Sequence, residues 1–589
     1  MNPHREGVAF YLDVDGRAVH AVLHEATGHA RETAVLIVAP FGWEDVSSYR
    51  SRRSMAIDLA DHGYATLRFD LPGTGDSDGT ADDPELVAEW IRTISVAAAE
   101  LRSVSACTTV AAMGFDIGGL LACAASAAGA AIEELVLWAV PGRGRAIVRE
   151  LNAFAQLLAS RGADEPALPD GTLSVNGYVM TPATAASVNA LDVRTNARPH
   201  VRRALVLGRD DLPADDAVRA ALHDGGAVVD VRAGPGYGEL MAPPQESAPP
   251  APLMAAVRDW LGARTVSQVV AHPSLTTAAT VHAADGTDVR ERVLTLAVPG
   301  AELSAVLAEP VGASQPLCAV LLNAGAVRRT GPSRVWVDTA RRWAAAGVPT
   351  VRVDLAGIGD STGSVAYPLA DLELYEGDFG AQVTGVLDDL VALALPSRFV
   401  LGGLCSGAYW SFEIGQSDPR VGAVVMLNPK ALVMDPFVEA VRTMRLMRNR
   451  SQPRFWRRLV RGDVPVAGIK SGAAFAARAA LAAPEHLRAA RRARSLGIDE
   501  LDRGFDRLAQ NGVDAVLVFS AQESLRLELD ADGRLQELGR RPNLDLQLLE
   551  GSVETHTLQP PHVQQQVGSI LDAALARFLS EPRSGARPP

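Results

Sequence analysis

Cysteine is scarce in this sequence, and long apolar runs are absent from it. The four cysteines, Cys107, Cys123, Cys318 and Cys405, form no C-x-x-C pair and have no metal-ligand spacing. Scattered thiols of this kind are typical of a reducing compartment and indicate no zinc site. No apolar stretch reaches the roughly 18 residues that span a membrane, and the start MNPHREGVAFYLDVDG lacks the apolar core of a signal peptide. We therefore expect a cytoplasmic protein with no membrane span, no metal and no cofactor.

Lysine is also scarce, and basic residues are outnumbered. Lys430 and Lys470 are the only two lysines, and 69 acidic residues against 56 basic ones leave a net charge of −13. A nucleic-acid-binding protein would be expected to present a basic face. The composition therefore argues against a nucleic-acid partner. The 48% apolar content supports packed cores, and a length of 589 residues allows two large domains.

An internal repeat divides the chain. The segment 62–77, HGYATLRFDLPGTGDS, matches the segment 346–361, AGVPTVRVDLAGIGDS, at an offset of 284 residues. A repeat of this length indicates the duplication of a domain and not a solenoid. We predict one domain at 1–265 and a second at 291–589. The linker is predicted at 266–290, where small polar residues are frequent and no helical period is visible.

Each half shows the pattern of a mostly parallel sheet. Short apolar strands alternate with helical stretches of about ten or more residues, which is typical of βα units. After the sixth strand each half carries an insertion with a helical pattern, at 142–198 and at 430–511. Ligands of open α/β sheets bind beyond the carboxyl ends of the strands, so helices inserted there would form a cap over a site. The predicted fold is therefore two tandem α/β units, each with a helical cap.

A cysteine in the second half has the sequence context of a nucleophile. Gly403-Leu404-Cys405-Ser406-Gly407 follows the strand-like run 398–401 and precedes a helical stretch, which is the G-x-C-x-G form of a nucleophile elbow. Such a turn projects the central side chain at the N-terminus of a helix, where the helix dipole favours thiolate over thiol. The structural alternative is that Cys405 is a buried packing residue.

Both halves resemble α/β-hydrolases. The resemblance rests on the repeated D-x-x-G-x-G-D-S motif, on the elbow after the next strand, and on an acid and a histidine in the order of that superfamily. The second half is similar, more narrowly, to the exosortase-system-associated hydrolase group through Asn323-Ala324-Gly325, G-L-C-S-G at 403–407, and Asn428-Pro429. The resemblance implies a catalytic triad and an enzyme that acts on a small-molecule substrate.

The resemblance also implies the partners of Cys405. His556 follows the last predicted strand, 546–549, where the superfamily keeps its base. Glu523 follows the predicted strand 515–519 and would hold the imidazole in the required tautomer. The nearby alternatives to these two residues are His562, Glu528 and Asp530.

Such a triad predicts acyl transfer through a covalent intermediate. The thiolate of Cys405, paired with His556, would attack an ester, thioester or lactone carbonyl and carry the acyl group as a thioester. The backbone N–H groups of Ser406 and of the loop at Ala324 and Gly325 would form the oxyanion hole. The sequence leaves hydrolysis, thioesterase activity and transfer to another acceptor open.

The first half lacks the same set of residues. Asp116 stands at the centre of its elbow, and alignment of 234–244 with 551–561 puts Glu239 in the place of the histidine. Asp211 takes the place of the acid. Three converging carboxyl groups with no suitable base predict a catalytically silent domain. Two alternatives are a hydrolase that uses Asp116 as its nucleophile and a carboxylate cluster that binds a cation.

The second insertion is rich in arginine. Arg445 and Arg448 belong to a series between 442 and 461 that is interleaved with apolar residues, and their spacing puts them on one helical face. One interpretation is a solvated surface helix. The other is a basic cap that recruits an anionic acyl donor linked to coenzyme A or a carrier protein, because arginine suits phosphate. A non-catalytic binding or assembly protein, built on two degenerate hydrolase folds, is the remaining alternative for the whole chain.

Overall fold

The computed structural model describes residues 7–159, 168–169, 171–210, 212–262, 264–265, 275–363, 371–375, 379–433, 500–550 and 556–580. We call the residues up to 265 the first half and the residues from 275 onward the second half.

The first half is built on one large sheet of eight described strands. Their order across the sheet is β1-β2-β4-β3-β5-β6-β9-β10. Strand β2 is antiparallel to both of its neighbours, β1 and β4, and all strands from β4 onward run parallel to one another. The strands are β1 (Val8–Val14), β2 (Arg17–His24), β3 (Thr33–Val38), β4 (Thr66–Phe69), β5 (Thr109–Phe115), β6 (Glu134–Trp138), β9 (Arg203–Leu207) and β10 (Val228–Arg232).

The second half repeats this order with one additional strand at the antiparallel edge. Its order is β11-β12-β13-β15-β14-β16-β17-β18-β19, and the strands from β15 onward are parallel. The strands are β11 (Ala278–His282), β12 (Asp288–Val298), β13 (Ala301–Pro310), β14 (Cys318–Leu322), β15 (Thr350–Val353), β16 (Phe399–Leu404), β17 (Val421–Leu427), β18 (Asp514–Phe519) and β19 (Leu544–Leu548).

Helices cover both sheets. In the first half they are α1 (Trp43–Asp61), α2 (Leu86–Ser105), α3 (Ile117–Ala127), α4 (Gly144–Ala159), α5 (Pro182–Asn189), α6 (Asp216–Asp224), α7 (Tyr237–Leu240) and α8 (Ala251–Leu261). In the second half they are α9 (Val335–Ala345), α10 (Phe379–Ala392), α11 (Ser406–Gly415), α12 (Ser524–Ala531), α13 (Arg534–Leu538) and α14 (Pro561–Ser580), and residues 500–510 are also helical.

The sequence pattern explains this architecture. The central strands β3 and β14 are buried along their whole length, because helices cover both faces of a parallel sheet. In α2 the side chains of Trp90, Ile94 and Leu101 recur at helical spacing and are fully buried against the sheet. The predicted fold class, two tandem α/β units, is confirmed.

Two boundaries differ from the sequence prediction. The predicted linker 266–290 includes all of β11 and the start of β12, so its C-terminal part belongs to the second sheet. The cap of the first half contains the predicted helices α4 and α5, together with a hairpin of β7 (Leu173–Val175) and β8 (Tyr178–Met180). The strands β7 and β8 were not predicted, because segments of three residues are too short to show the alternation of polar and apolar residues that indicates a strand. Residues 434–499 of the second cap lie outside the described residues.

The two copies of the repeat face each other where the halves meet. Arg68 in β4 pairs with Asp360 at an Nη2–Oδ1 distance of 2.9 Å. Arg352, its equivalent 284 residues later, pairs with Asp76 at 3.3 Å. Reciprocal contacts between equivalent residues are the property of an isologous dimer interface. The duplicated chain therefore has the internal contacts of a dimer of its own halves.

Two adjacent buried arginines strengthen this boundary. Arg329 contacts three carboxylates, from Asp76 (2.9 Å), Asp354 (2.7 Å) and Asp360 (3.1 Å), and Arg328 pairs with Asp70 of the first half at 2.9 Å. Buried charges of this kind must be paired, because removal of one partner leaves the other desolvated without compensation.

The hairpin β7–β8 makes a second contact between the halves. The hydroxyl of Tyr178 accepts a hydrogen bond from the N–H of Ser333 (3.2 Å), and Gln564 Nε2 donates to the carbonyl of Gly177 (3.0 Å). A Cβ atom at Gly177 would lie 2.2 Å from Ser333 Oγ, so only glycine fits at this tip. Gln564 lies at the start of α14, and the hairpin therefore supports the segment that follows His556.

Candidate active site

Cys405 sits on a strained turn between a strand and a helix. The turn joins β16 to α11, and Cys405 has φ 59° and ψ −114°, a conformation that L residues rarely adopt. A Cβ atom at Gly403 would lie 2.0 Å from the carbonyl carbon of Gly407, and one at Gly407 would lie 2.4 Å from the carbonyl oxygen of Asn323. The two glycines of the G-x-C-x-G pattern therefore allow the turn to form, and the sulfur lies at the start of α11.

The structure brings Cys405, His556 and Glu523 together. His556 lies beside Cys405, close enough for each of the two groups to shift the pKa of the other. Its other side faces Glu523, whose two carboxylate oxygens lie 3.0 and 2.9 Å from Nδ1. Because Nδ1 faces the carboxylate, Nε2 is the ring nitrogen available to the sulfur. A nucleophile, a base and an acid would need this arrangement to act as a catalytic triad.

The electrostatics of this group favour an ion pair. Burial alone would raise the pKa of Cys405, but its hydrogen bond with His556, and the charges of His556 and Lys430, outweigh burial and lower that pKa below its ordinary value. Burial would lower the pKa of His556, but the hydrogen bonds with Cys405 and Glu523 raise it to about 10. Both shifts favour a thiolate beside an imidazolium.

The alternatives named from the sequence lie elsewhere. Glu528 and Asp530 follow on α12, with Asp530 exposed, and His562 lies in the first turn of α14. Glu523 is 5% exposed and immediately precedes α12, so the chain turns its carboxylate toward His556 before the helix leads away.

Asn428 positions the histidine from the end of the neighbouring strand. Its Nδ2 donates to the carbonyl oxygen of His556 (3.0 Å) and to Ser520 Oγ (2.9 Å), and its Oδ1 accepts from the N–H of Ser520 (2.7 Å). The residue is fully buried and has a φ of 43°. Asn428 therefore ties the ends of β17 and β18 to the histidine segment. Asparagine adopts the left-handed backbone region more readily than most residues. An asparagine directly after a strand is the one sequence feature that could have indicated this positioning role.

The predicted oxyanion hole is only partly open. Ser406 is the first residue of α11, so its backbone N–H points out of the helix end toward the sulfur side of the turn. On the opposite loop, the N–H of Gly325 donates to Ser406 Oγ at 3.2 Å. That hydroxyl occupies the Gly325 donor, which leaves the N–H groups of Ser406 and Ala324 as the candidates for binding an oxyanion.

A tyrosine that the sequence analysis did not identify also reaches the sulfur. The hydroxyl of Tyr375 lies 3.6 Å from Cys405 Sγ, and Tyr375 is buried. It comes from the short turn at 371–375, between β15 and α10. No motif marks this residue, because the contact depends on how the turn folds over the elbow.

The equivalent site in the first half is arranged differently from the prediction. Asp116 occupies the elbow with φ 45° and ψ −121°. Glu239 is exposed and does not face it, because the single turn of α7 directs Tyr237 inward instead, where its hydroxyl donates to Glu44 at 3.2 Å. Asp211 lies outside the described residues; its neighbour Asp210 accepts the N–H of Gly238 at 2.7 Å.

Two buried carboxyl groups near this elbow have raised pKa values. Burial, together with the charge of Glu150, raises the pKa of Asp116 to about 6. Burial, together with the charge of Asp116, raises the pKa of Glu44 to about 8. An aspartate nucleophile also needs a base that activates water for the second step, and the exposed Glu239 does not supply one, so this geometry does not favour an aspartate-based hydrolase in the first half.

One group of residues outside both elbows has ligand types suited to a metal. His20, Asp70 and Asp76 place one ligand atom each within 4.8 Å of one another. Arg328 contacts Asp70 and Arg329 contacts Asp76 at 2.9 Å. These guanidinium groups already neutralise the carboxylates, so the residues do not fit a cation. Arg445 and Arg448, the residues of the predicted basic cap, lie outside the described residues.

The chain matches no protein-family model and no curated protein sequence. It is similar in structure to an α/β serine hydrolase homologue from Coxiella burnetii (12% identity, 48% of this chain and 97% of that one, TM-score 0.30). It is also similar to Est1E from Butyrivibrio proteoclasticus (18%, 43% and 97%, TM-score 0.31) and to a dienelactone hydrolase from Anabaena variabilis (13%, 49% and 98%, TM-score 0.29). Identities and TM-scores this low bear on neither the reaction nor the substrate.

Among the described residues, none of the helices combines the length and the apolar character needed to cross a bilayer.

Proposed function

We propose that the second half is a cysteine-dependent acyl-transfer enzyme with Cys405 as nucleophile, His556 as base and Glu523 as the acid of a triad. The contact of the His556 ring with both the sulfur and the Glu523 carboxylate supports this proposal. A merely structural cysteine would be buried without an ionising partner, as Cys318 is, whose pKa burial raises to about 12.

The reaction follows from this geometry in two steps. The thiolate of Cys405 attacks the carbonyl carbon of an ester, thioester or lactone, and a carbon–sulfur bond forms while the carbonyl electrons move to oxygen. The backbone N–H of Ser406 and of Ala324 bind that oxyanion. As the tetrahedral intermediate collapses, the imidazolium of His556 gives its proton to the leaving group, and a thioester on Cys405 remains.

In the second step the same imidazole works as a base. His556 removes a proton from water or from another acceptor, which attacks the thioester, and Cys405 leaves as the thiolate. Glu523 holds Nδ1 throughout, so that Nε2 is always the nitrogen that faces the reaction. Hydrolysis, thioesterase activity and acyl transfer share this chemistry and differ in the acceptor.

The first half is proposed to be a silent duplicate that supports the second. The reciprocal pairs Arg68–Asp360 and Arg352–Asp76 and the hairpin tip at Gly177 support this role. We propose that the first domain covers 1–265, that the connecting segment ends before β11, and that the second domain begins with β11 and not at the predicted residue 291. Similarity to the exosortase-system-associated hydrolase group is part of the proposal for the second half.

The substrate is proposed to be a small acyl compound, and the basic residues Arg445 and Arg448 suggest a donor linked to coenzyme A or a carrier protein. All four cysteines are free, and we propose the cytoplasm as the compartment of this protein.

A trapping experiment tests the proposed function. The protein is incubated with p-nitrophenyl acetate and analysed by intact mass and peptide mapping. We expect one acetyl group on Cys405 and, for His556→Ala, acylation slower by about two to four orders of magnitude, because general-base assistance is lost. Cys318→Ser is the matched control and should acylate like the unchanged protein. The proposal is contradicted if the unchanged protein shows neither acylation at Cys405 nor release of p-nitrophenol that depends on Cys405.

A further inference from the structure

Tyr375 places a hydroxyl group against the reacting sulfur from outside the triad. Its Oη lies 3.6 Å from Cys405 Sγ, within the range of a hydrogen bond to sulfur. The side groups that act on this sulfur are His556, Lys430 and Tyr375. The phenolic O–H of Tyr375 can donate a hydrogen bond to a thiolate without removing the charge that makes the thiolate reactive.

The position of Tyr375 is fixed by the helix that begins at the elbow. The carbonyl of Leu374 accepts a hydrogen bond from Trp410 Nε1 at 3.0 Å. The Tyr375 ring meets the ring of Tyr409 edge to face, with centroids 5.3 Å apart. Both Tyr409 and Trp410 lie on α11, and the turn at 371–375 is thereby held to the same rigid element that carries Cys405. A hydroxyl held in this way is preorganised and does not swing in solvent.

We propose that Tyr375 is a further catalytic residue of this site, whose hydroxyl donates a hydrogen bond to the Cys405 thiolate and keeps the sulfur ionised and aimed before attack. This inference rests on the proposed function, because it assumes that Cys405 is the reacting group. When sulfur forms the thioester, it becomes a weak acceptor and the Tyr375 O–H is released. The tyrosine therefore stabilises the resting enzyme, and no proton is transferred from it.

The expected effect has opposite signs at low and high pH. A hydrogen bond to a charged group, taken at the low end of its range because the contact is long, favours the thiolate of Cys405 over the thiol by about tenfold. Tyr375→Phe removes that bond, so fewer thiolates are present at acid pH. The remaining thiolates are more nucleophilic, because nucleophilicity rises with thiol pKa by a Brønsted coefficient of about 0.4–0.5. Alkylation should be about threefold slower below both pKa values and about threefold faster above them.

The test is the pH profile of Cys405 alkylation by iodoacetamide, read by peptide mapping between acid and alkaline pH. Crossing profiles for Tyr375→Phe and the unchanged protein support the inference. Parallel profiles, or a rate that is lower at every pH, overturn it, because a loosened site would slow the reaction throughout. Tyr409→Phe is the matched control; it keeps the aromatic packing, and its profile should follow that of the unchanged protein.

Two further readouts separate the ways in which this inference could fail. An inert Cys405 in the unchanged protein would contradict the proposed function itself, whereas a reactive Cys405 with an unchanged profile in Tyr375→Phe would contradict only the role of Tyr375. If Tyr375→Phe does not fold, fluorotyrosine at position 375 replaces it. The fluorinated phenol is a stronger hydrogen-bond donor, so the acid side of the pH profile of Cys405 alkylation should move to lower pH. An unchanged acid side overturns the inference.

Discussion

Replacement of Arg329 is expected to destabilise the boundary between the two halves. The guanidinium is fully buried and contacts the carboxylates of Asp76, Asp354 and Asp360 at 2.7 to 3.1 Å. In Arg329→Met a side chain of similar volume keeps the packing, but one positive charge disappears from a group of three buried negative charges. The substitution thus separates the electrostatic contribution from the contribution of apolar contact.

The size of the loss in stability depends on which partners each carboxylate keeps after Arg329 is replaced. Asp360 retains Arg68 at 2.9 Å and Asp76 retains Arg352 at 3.3 Å, whereas Asp354 keeps only hydrogen bonds, including one from Asn323 at 3.1 Å. Removal of one partner of a buried ion pair costs about 3–5 kcal/mol. Because two of the three carboxylates keep an arginine, we expect a loss near about 3 kcal/mol in the free energy of unfolding.

The pH dependence of this loss has a definite sign. Burial alone would raise the pKa of Asp76 and of Asp360, but nearby arginines, Arg329 among them, outweigh burial and hold both pKa values below the ordinary range. A lowered carboxyl pKa stabilises the fold above the unfolded pKa of about 4, and this stabilisation is lost as the pH falls. The difference between Arg329→Met and the unchanged protein should therefore be largest at neutral pH and should shrink below about pH 4.

Equilibrium urea unfolding at pH 7 and at pH 3 measures both effects. The matched control is Arg342→Met, because Arg342 pairs with Asp572 at 3.0 Å but the two side chains are 30% and 45% exposed. An exposed pair contributes at most about 1 kcal/mol. The reasoning is refuted if Arg329→Met unfolds within about 1 kcal/mol of the Arg342→Met control at pH 7.

Two further predictions concern the elbows. Glu523→Gln removes the charge that orients His556 through Nδ1, so acylation by p-nitrophenyl acetate at pH 7 should slow by about ten- to a hundredfold. The control variant Glu528→Gln should react at nearly the rate of the unchanged protein. Equal rates for the two variants would contradict the proposed triad. Asp116→Asn should raise the free energy of unfolding by about 1–2 kcal/mol more at pH 8 than at pH 4, because the cost of the buried carboxylate begins where the unfolded group ionises, near pH 4, and is complete above the folded pKa of about 6. Urea unfolding at both pH values measures this, and a gain that is the same at pH 4 and pH 8 would argue against it.

Site residues could be predicted from the sequence where a short motif, or a position directly after a strand, marks them. Cys405 is marked by its flanking glycines, and His556 and Glu523 each follow a recognisable strand, so their places at the edge of the sheet come from the strand order. Glu239 shows the limit of that reasoning. The alignment of 234–244 with 551–561 predicted that Glu239 takes the place of the histidine. In the structure, the single turn of α7 directs Tyr237 inward instead.

The sequence by itself determined the duplication, the mostly parallel sheets and the cysteine elbow, because periodicity, glycine spacing and a 284-residue repeat are local or self-matching properties of a chain. Only the tertiary structure decided that Tyr375 reaches the sulfur, that Asn428 holds the carbonyl of His556, and that Arg329 bridges three carboxylates from both halves. Those contacts join residues 25 to 253 positions apart, and their existence depends on how loops and halves pack. Packing of that kind is set by the whole core and leaves no pattern in any one segment.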